Sequence, residues 1–146
     1  MLLIGEKLPA ELVNRAQPII SRANMNASGA RPSGDRIVIA GILAKNLLFI
    51  EDKATFEEII KIIANEIKFS TGERGMQHDY SFHHRIDRVN NTTSYGYGKY
   101  ANAFGEWCDY VAGTKYAFDK DKINQLVDYY LDGVYKQLVF GVYEDI

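Results

Sequence analysis

The stretch HDYSFHHR, at residues 78–85, is denser in proton-carrying groups than any other part of the chain. Its three histidines titrate near neutral pH, so each can take up or release a proton in a reaction. A nearby cation can make a tyrosine such as Tyr80 or Tyr95 a base, which afterwards returns the proton as an acid. Arginines such as Arg85 bind carboxylate or sulfate through paired hydrogen bonds. One interpretation is therefore general acid–base chemistry on an anionic sugar.

Three other interpretations of this segment stay open from the residues alone. The first is a solvated loop, in which arginines pair with Asp79 and Asp87. The second is a metal site built from the histidines and Asp79, although their spacing matches no common helical pair of ligands. Nucleophilic catalysis would fall to Cys108, but a lone cysteine in a helical pattern is usually a small core residue.

The composition bounds the partners of the chain. Its 146 residues are enough for one domain with a sizeable core. Seventeen basic residues stand against nineteen acidic ones, a net charge of −2, which argues against a nucleic-acid partner. The longest apolar run, residues 37–50, is broken by Lys45 and Asn46 and is shorter than a membrane span, and the N-terminus is not a signal peptide.

Helical periodicity runs through nearly the whole chain and predicts five helices with two long polar loops. The first covers residues 9–22, with a kink or break at Pro18. Residues 35–50 are apolar on almost every face, which predicts a helix buried on all sides. Thr55 and Glu58 form a capping-box pattern that opens the third helix. The fourth runs from about Ser94 to Val111 and the fifth starts near Asp119, while no strand pairing is evident.

The predicted apolar faces follow from the same spacing. Trp107 and Tyr110 are predicted to be core residues rather than a platform for a sugar ring. The stripes expected to face the core are, in the third helix, Phe56, Ile59, Ile60, Ile63 and Ile67 and, in the fifth, Ile123, Val127, Tyr130, Val134 and Leu138.

The segments GMQHDYSFHHR and SYGYGKYANAF together resemble the catalytic stretch of the chondroitin AC and hyaluronate lyases, polysaccharide lyases with an α/α-toroid domain. Gly75, Asp79 and the Ser81-Phe82 pair fit the family's lead-in to its catalytic histidine. Ser94-Tyr95-Gly96 fits the short motif that carries its catalytic tyrosine. The resemblance covers roughly residues 28–145.

Several positions depart from the family pattern. His83-His84-Arg85 replaces the usual Gln-His-Gly, so the histidine is displaced by one position. Arg36 lies where the family has an asparagine that neutralises the substrate carboxylate. The sequence also ends at Ile146, before the region where the family supplies a further arginine and a glutamate.

The resemblance implies β-elimination on a uronic-acid-containing glycosaminoglycan, without a cofactor or metal. It makes His83 or His84 and Tyr95 catalytic, and it gives substrate binding to Arg36, Arg85, Arg88, Asn90 and Asn91. It implies an all-α fold of antiparallel helical hairpins, part of an (α/α) toroid-like arrangement, and a periplasmic or secreted location. Residues 1–146 would form a single helical domain, a fragment of a larger lyase catalytic domain.

A piece of a larger ring would leave apolar faces exposed, which predicts a homo-oligomer. The rival hypothesis, from another functional class, is a non-catalytic helical module that binds an acidic polysaccharide or a protein partner.

Overall fold

The computed structural model describes residues 7–25, 34–70, 74–84 and 92–137. Five α-helices follow in order: α1 (Ala10–Ile20), α2 (Gly34–Phe49), α3 (Lys53–Asn65), α4 (Asn102–Val111) and α5 (Lys120–Asp128). A π-helical segment, π1 (Thr92–Ala101), runs directly into α4. A second, π2 (Tyr129–Val134), continues α5 and ends in a 3-10 turn, Tyr135–Gln137. The prediction of five helices with long polar segments is confirmed.

Helix α1 runs through Pro18 and continues to Ile20, so the break expected at that proline is wrong. Proline removes only its own backbone N–H, and the N–H of Ser21 still donates to the carbonyl of Gln17 at 3.0 Å. None of the residues of α1 is buried. Two of its large apolar side chains are exposed, Leu12 at 45% and Ile19 at 64%.

A tight turn joins α2 to α3 and makes them a helical hairpin. Glu51 adopts a left-handed conformation with φ of 60°, and the N–H of Asp52 donates to the carbonyl of Leu47 at 3.0 Å. This arrangement closes the end of α2. The side chain of Asp52 then accepts a hydrogen bond from the N–H of Thr55 at 3.1 Å and so caps α3. The predicted capping box was wrong: Asp52 is the cap and Thr55 is its partner within the first turn.

The core lies where α2, α3, π1 and α4 meet. The predicted apolar stripe of α3, from Phe56 to Ile67, is buried throughout. Helix α2, in contrast, is not buried on all sides as predicted. It buries Ile37, Ala40, Ala44 and Leu47, while Ile42 and Leu48 on its other side are about half exposed.

The C-terminal elements follow the predicted apolar stripe only in part. Val134 is buried and Tyr130 is half-buried as predicted, whereas Ile123 and Val127 are exposed and Leu126 and Tyr129 are buried instead. Leu138 lies outside the described residues. In α4, Trp107 is buried as predicted, but Tyr110 is 53% exposed and is not a core residue.

A small β-hairpin stands in the polar region for which no strand was predicted. Strands β1 (Gly75–Met76) and β2 (Phe82–His83) pair antiparallel, with Met76 opposite Phe82. Both side chains are fully buried, which anchors the hairpin to the helical core. Within the described ranges, no helix is both long enough and apolar enough to cross a membrane.

Candidate active site

The turn of the β-hairpin is built by the motif that leads to the histidines. The carboxylate of Asp79 accepts hydrogen bonds from the N–H of Ser81 at 3.0 Å and from its hydroxyl at 2.7 Å. These bonds hold the pKa of Asp79 below its ordinary value. Tyr80 takes a left-handed conformation with φ of 61°. The Asp-x-Ser motif therefore shapes the turn, and its carboxylate is committed to that turn.

The three histidines of the hairpin region point to different neighbours. His78 is exposed in the turn and stacks on Phe69, with ring centroids 4.8 Å apart. His83 pairs with Gly75 in the two-stranded sheet and is half-buried. His84 follows the strand and stacks on Tyr95. No group of three or more histidine, cysteine, aspartate or glutamate side chains suited to a metal ion occurs in the described part of the chain.

His84 and Tyr95 form the central contact of the site. Their ring centroids lie 3.5 Å apart and the planes differ by 18°, so the rings are almost parallel. The structure thus brings together Tyr95 and His84, one of the two histidines that the sequence resemblance left open. The contact distinguishes the two candidates, because His83 has no described ring contact with Tyr95.

A lysine and an aspartate complete the surroundings of this tyrosine. The Nζ of Lys99 lies 4.4 Å from the centroid of the Tyr95 ring. The same atom lies 2.9 Å from Oδ1 of Asp35, at the start of α2. This carboxylate raises the pKa of Lys99 above its ordinary value, so the amine stays charged. We name His84, Tyr95, Lys99 and Asp35 the Tyr95 cluster.

The backbone of π1 is fixed beside Tyr95 by close packing at Gly96. A Cβ atom there would lie 2.4 Å from the hydroxyl oxygen of Tyr129 and 2.7 Å from Cβ of Phe82. Only glycine fits this position without a shift of its neighbours. Further along π1, the hydroxyl of Tyr100 donates to the carbonyl of Glu66 at 2.8 Å, and burial raises the pKa of Tyr100. The segment that carries the site tyrosine is therefore held between the hairpin, α3 and π2.

Arg36 is occupied by an internal ion pair. Its Nε lies 2.8 Å from Oε1 of Glu66, whose side chain is 9% exposed. The arginine side chain is itself three-quarters buried, with 25% exposure. Arg36 thus joins the start of α2 to the end of α3, and its charge already has a partner.

The remaining predicted binding residues, Arg85, Arg88, Asn90 and Asn91, lie outside the described residues. Cys108 is half-buried, and burial raises the pKa of its thiol, which is the opposite of the shift that activates a nucleophile.

Lys99 and Asp35 were missed by the sequence reasoning. Lys99 follows Tyr95 by one helical turn, so the spacing alone could have indicated it. Asp35 had no such signal, because its role depends on how α2 packs against π1.

Residues 13–144 match the family model described as polysaccharide lyase family 8, N-terminal alpha-helical domain. Among solved structures, chondroitinase AC lyase, determined with enzyme–oligosaccharide complexes, is similar with a TM-score of 0.76 and 23% sequence identity. The likeness covers 90% of this chain and 19% of that chain, so this chain spans about a fifth of the enzyme's length. No curated protein sequence matches the chain.

The likeness confirms the predicted fold class, an all-α arrangement of helical hairpins within a toroid-like architecture. The family resemblance drawn from the hairpin and the tyrosine motif is confirmed as well. Because the family model spans most of its length, the chain belongs to polysaccharide lyase family 8, whose N-terminal alpha-helical domain it represents.

Proposed function

We propose that this chain is a lyase domain that acts by β-elimination on a uronic-acid-containing glycosaminoglycan of the chondroitin or hyaluronan type. The observation that carries the proposal is the stacking of His84 on Tyr95, with ring centroids 3.5 Å apart. Two side chains able to carry protons are thereby held next to each other on a packed scaffold, and this proximity supports proton transfer to and from one bound sugar.

The reaction needs one proton removed and one proton delivered. A base takes the C5 proton of the uronate, and the electron pair of that C–H bond is left as a carbanion that spreads into the carboxyl group. This pair then forms the C4–C5 double bond as the C4–O bond breaks, and the departing glycosidic oxygen receives a proton. We assign the first step to His84 or Tyr95 and the second to Tyr95, while His83, which has no described ring contact with Tyr95, is the weaker candidate.

The substrate carboxylate must be neutralised before C5 loses its proton, because the carbanion spreads into that group. Arg85, Arg88, Asn90 and Asn91 follow His84 along the chain and remain our candidates for binding the acidic polysaccharide. Arg36 is the weakest of the predicted set, since Glu66 already pairs with it. We propose no metal or cofactor for this chemistry.

The length of the solved relative bears on the domain organisation of this protein, and the family resemblance bears on its location. Since the chain spans 19% of the chondroitinase chain, we propose that residues 1–146 act as one helical domain of a larger lyase catalytic domain. From the family resemblance we propose that such a domain works in the periplasm or outside the cell.

A second candidate function is the binding of an acidic polysaccharide without cleavage. The pairing of Arg36 with Glu66 favours it, because one of the predicted carboxylate-neutralising side chains is already engaged.

The test is an ultraviolet assay for the unsaturated uronate product. The wild-type protein is mixed in turn with chondroitin, hyaluronan, heparin-type and alginate-type chains. Tyr95→Phe and His84→Ala should each lower the rate by about 10²- to 10⁴-fold, the usual contribution of a general acid or base. Tyr110→Phe and His78→Ala are matched controls, because both residues are exposed and lie outside the Tyr95 cluster.

The outcomes separate the two candidates. Turnover that is lost in both site variants and kept in both controls supports the lyase. Glycan retention on an affinity column without any absorbance change supports the binding module. Equal loss in the control variants would contradict the assignment of Tyr95 and His84.

A further inference from the structure

Among the described residues, His84 and Lys99 both contact the Tyr95 ring. His84 stacks on it from the end of the hairpin, and Nζ of Lys99 lies 4.4 Å from its centroid. An ammonium group within about 6 Å of an aromatic centroid is attracted to the ring. Since Lys99 belongs to the same helical segment as Tyr95, its reach over the ring is a local feature of π1.

The lysine is itself held from another element. Oδ1 of Asp35, at the start of α2, lies 2.9 Å from Nζ of Lys99. The two side chains are 42% and 33% exposed, so this ion pair contributes little to overall stability. Its effect is instead geometric, because the carboxylate fixes the position of the Lys99 ammonium group over the Tyr95 ring.

We propose that Lys99, anchored by Asp35, is a positioning residue that keeps the Tyr95 ring stacked against His84 in the orientation required for proton transfer. The proposal rests on the proposed function for its kinetic consequence, but the orientation of the ring can be measured without turnover. In Lys99→Met the side chain roughly keeps its length and loses its charge, so the ring loses its contact with the ammonium group. Lys99→Arg keeps a charge that stacks well on aromatic faces.

The first measurement is nuclear magnetic resonance of the His84 imidazole protons. A tyrosine ring stacked at 3.5 Å shifts these protons upfield, and Tyr95→Leu, which has no ring current, defines complete loss of that shift. We expect Lys99→Met to lose most of the upfield shift and Lys99→Arg to keep it. Asp35→Asn should give an intermediate value, because the lysine keeps its charge but loses its anchor.

The second measurement is the split between kcat and KM on the substrate found by the ultraviolet assay. Lys99→Met should lower kcat by about 10- to 100-fold with little change in KM, because a displacement on the order of 1 Å of a catalytic group has this effect. Lys99→Arg should recover most of the loss.

Lys45 provides a matched control elsewhere in the chain. Its Nζ lies 5.3 Å from the centroid of Tyr110 and 3.8 Å from Oε2 of Glu106, so it repeats the same pattern outside the site. Lys45→Met should leave both the His84 resonances and kcat unchanged, while its thermal midpoint should resemble that of Lys99→Met.

Three results would overturn the proposal. They are an unchanged upfield shift in Lys99→Met, an arginine variant that behaves like the methionine variant, and a Lys45→Met variant that loses the shift equally. If the wild-type protein cleaves no glycan, the proposed function fails, but the resonance shifts still decide whether Lys99 positions the ring.

Discussion

At the scale of single residues, Gly96 is the tightest point next to the candidate site. The hydroxyl of Tyr129 and Cβ of Phe82 occupy the space that any side chain at residue 96 would need. The position of the backbone beside Tyr95 therefore depends on how the hairpin and π2 pack against Gly96. A side chain added at residue 96 would displace backbone, because Cβ of Phe82 moves only with its own main chain.

Gly96→Ala should lower the free energy of unfolding by about 1–3 kcal/mol, the usual range for an inserted methyl group in a packed site. It should also reduce the upfield shift of the His84 protons. Urea denaturation measures the first effect. Gly105→Ala is the control, because among the described residues an added Cβ would meet only the hydroxyl of Tyr130, at the longer distance of 3.2 Å. Equal destabilisation by Gly96→Ala and Gly105→Ala would contradict the inference that Gly96 is the tighter position.

Arg36 and Glu66 give a second prediction at this scale. Removing one member of a buried ion pair leaves the other charge without compensation, which costs about 3–5 kcal/mol. Arg36→Met should therefore strongly lower the free energy of unfolding measured in urea, and Arg36→Met with Glu66→Met should recover much of the loss. If Arg36 acts instead mainly on substrate, the single change would raise KM and leave stability nearly intact.

At the scale of elements, the hairpin turn depends on the carboxylate of Asp79. Asp79→Ala should lower the free energy of unfolding by about 1 kcal/mol or less, because the bonds it removes are exposed. Asp79→Asn keeps an acceptor oxygen and should lose less. Urea titrations of the three proteins at neutral pH measure these differences.

The same turn predicts a dependence on pH. The folded pKa of Asp79 is lowered by Ser81, so its contribution is complete above the unfolded pKa, near 4, and is lost as the pH falls through the lower folded value. The stability difference between the wild-type protein and Asp79→Asn should therefore shrink on acidification. A difference that grew below pH 4 would contradict this reasoning.

The start of α3 gives a prediction that separates two capping arrangements. Asp52 accepts the N–H of Thr55, and its pKa is lowered mainly by the hydrogen bond from the Thr55 hydroxyl. Asp52→Ala should lower the urea midpoint, whereas Glu58→Ala should leave it nearly unchanged. A larger loss for Glu58→Ala than for Asp52→Ala would instead support the capping box of Thr55 and Glu58 that the sequence alone indicated.

The elements differ in how far their sequence determined them. The stripe of α3 was predictable, because four isoleucines and a phenylalanine at helical spacing leave one inward face. The end of α4 at Val111 and the start of α5 after Asp119 were predictable for the same reason. The π1 and π2 segments were not, since the hydrogen-bond register within a helix depends on what packs against it.

The residues of the candidate site likewise differ in how far the sequence predicted them. His84 and Tyr95 were reached through the family resemblance, and their contact is a property of the fold. Lys99 lay within reach of a spacing argument, but its partner Asp35 comes from α2 and leaves no trace near it in sequence. Arg36 was placed at a binding position by alignment, while its nearest charge, Glu66, is thirty positions away.

At the scale of the whole molecule, the exposed apolar side chains carry the prediction of self-association. Helix α1 buries none of its residues, and Leu12 and Ile19 are exposed on one side of it. Further exposed apolar residues lie on the outer side of α2. Surfaces of this kind mark contacts with other protein.

The protein should therefore elute in size-exclusion chromatography with light scattering at a mass above the 16.6 kDa of one chain. Leu12→Lys with Ile19→Lys should return it toward that mass, because charges on the apolar side of α1 oppose association. Asn14→Lys, at a polar position of the same helix, is the control. A single-chain mass for the unmodified protein at every concentration would contradict the prediction.

The packing of π2 also bears on the stage of synthesis at which Tyr95 gains its support. Tyr129 backs Gly96, and Gly133 lies against Tyr80, where an added Cβ would sit 2.8 Å from that residue's Cβ. Both supports follow every member of the Tyr95 cluster in sequence, and synthesis proceeds from the N-terminus. During synthesis, His84 and Tyr95 are therefore made before Tyr129, whose side chain packs behind Gly96. We therefore expect a chain cut before Tyr129 to leave Tyr95 without the packing behind Gly96.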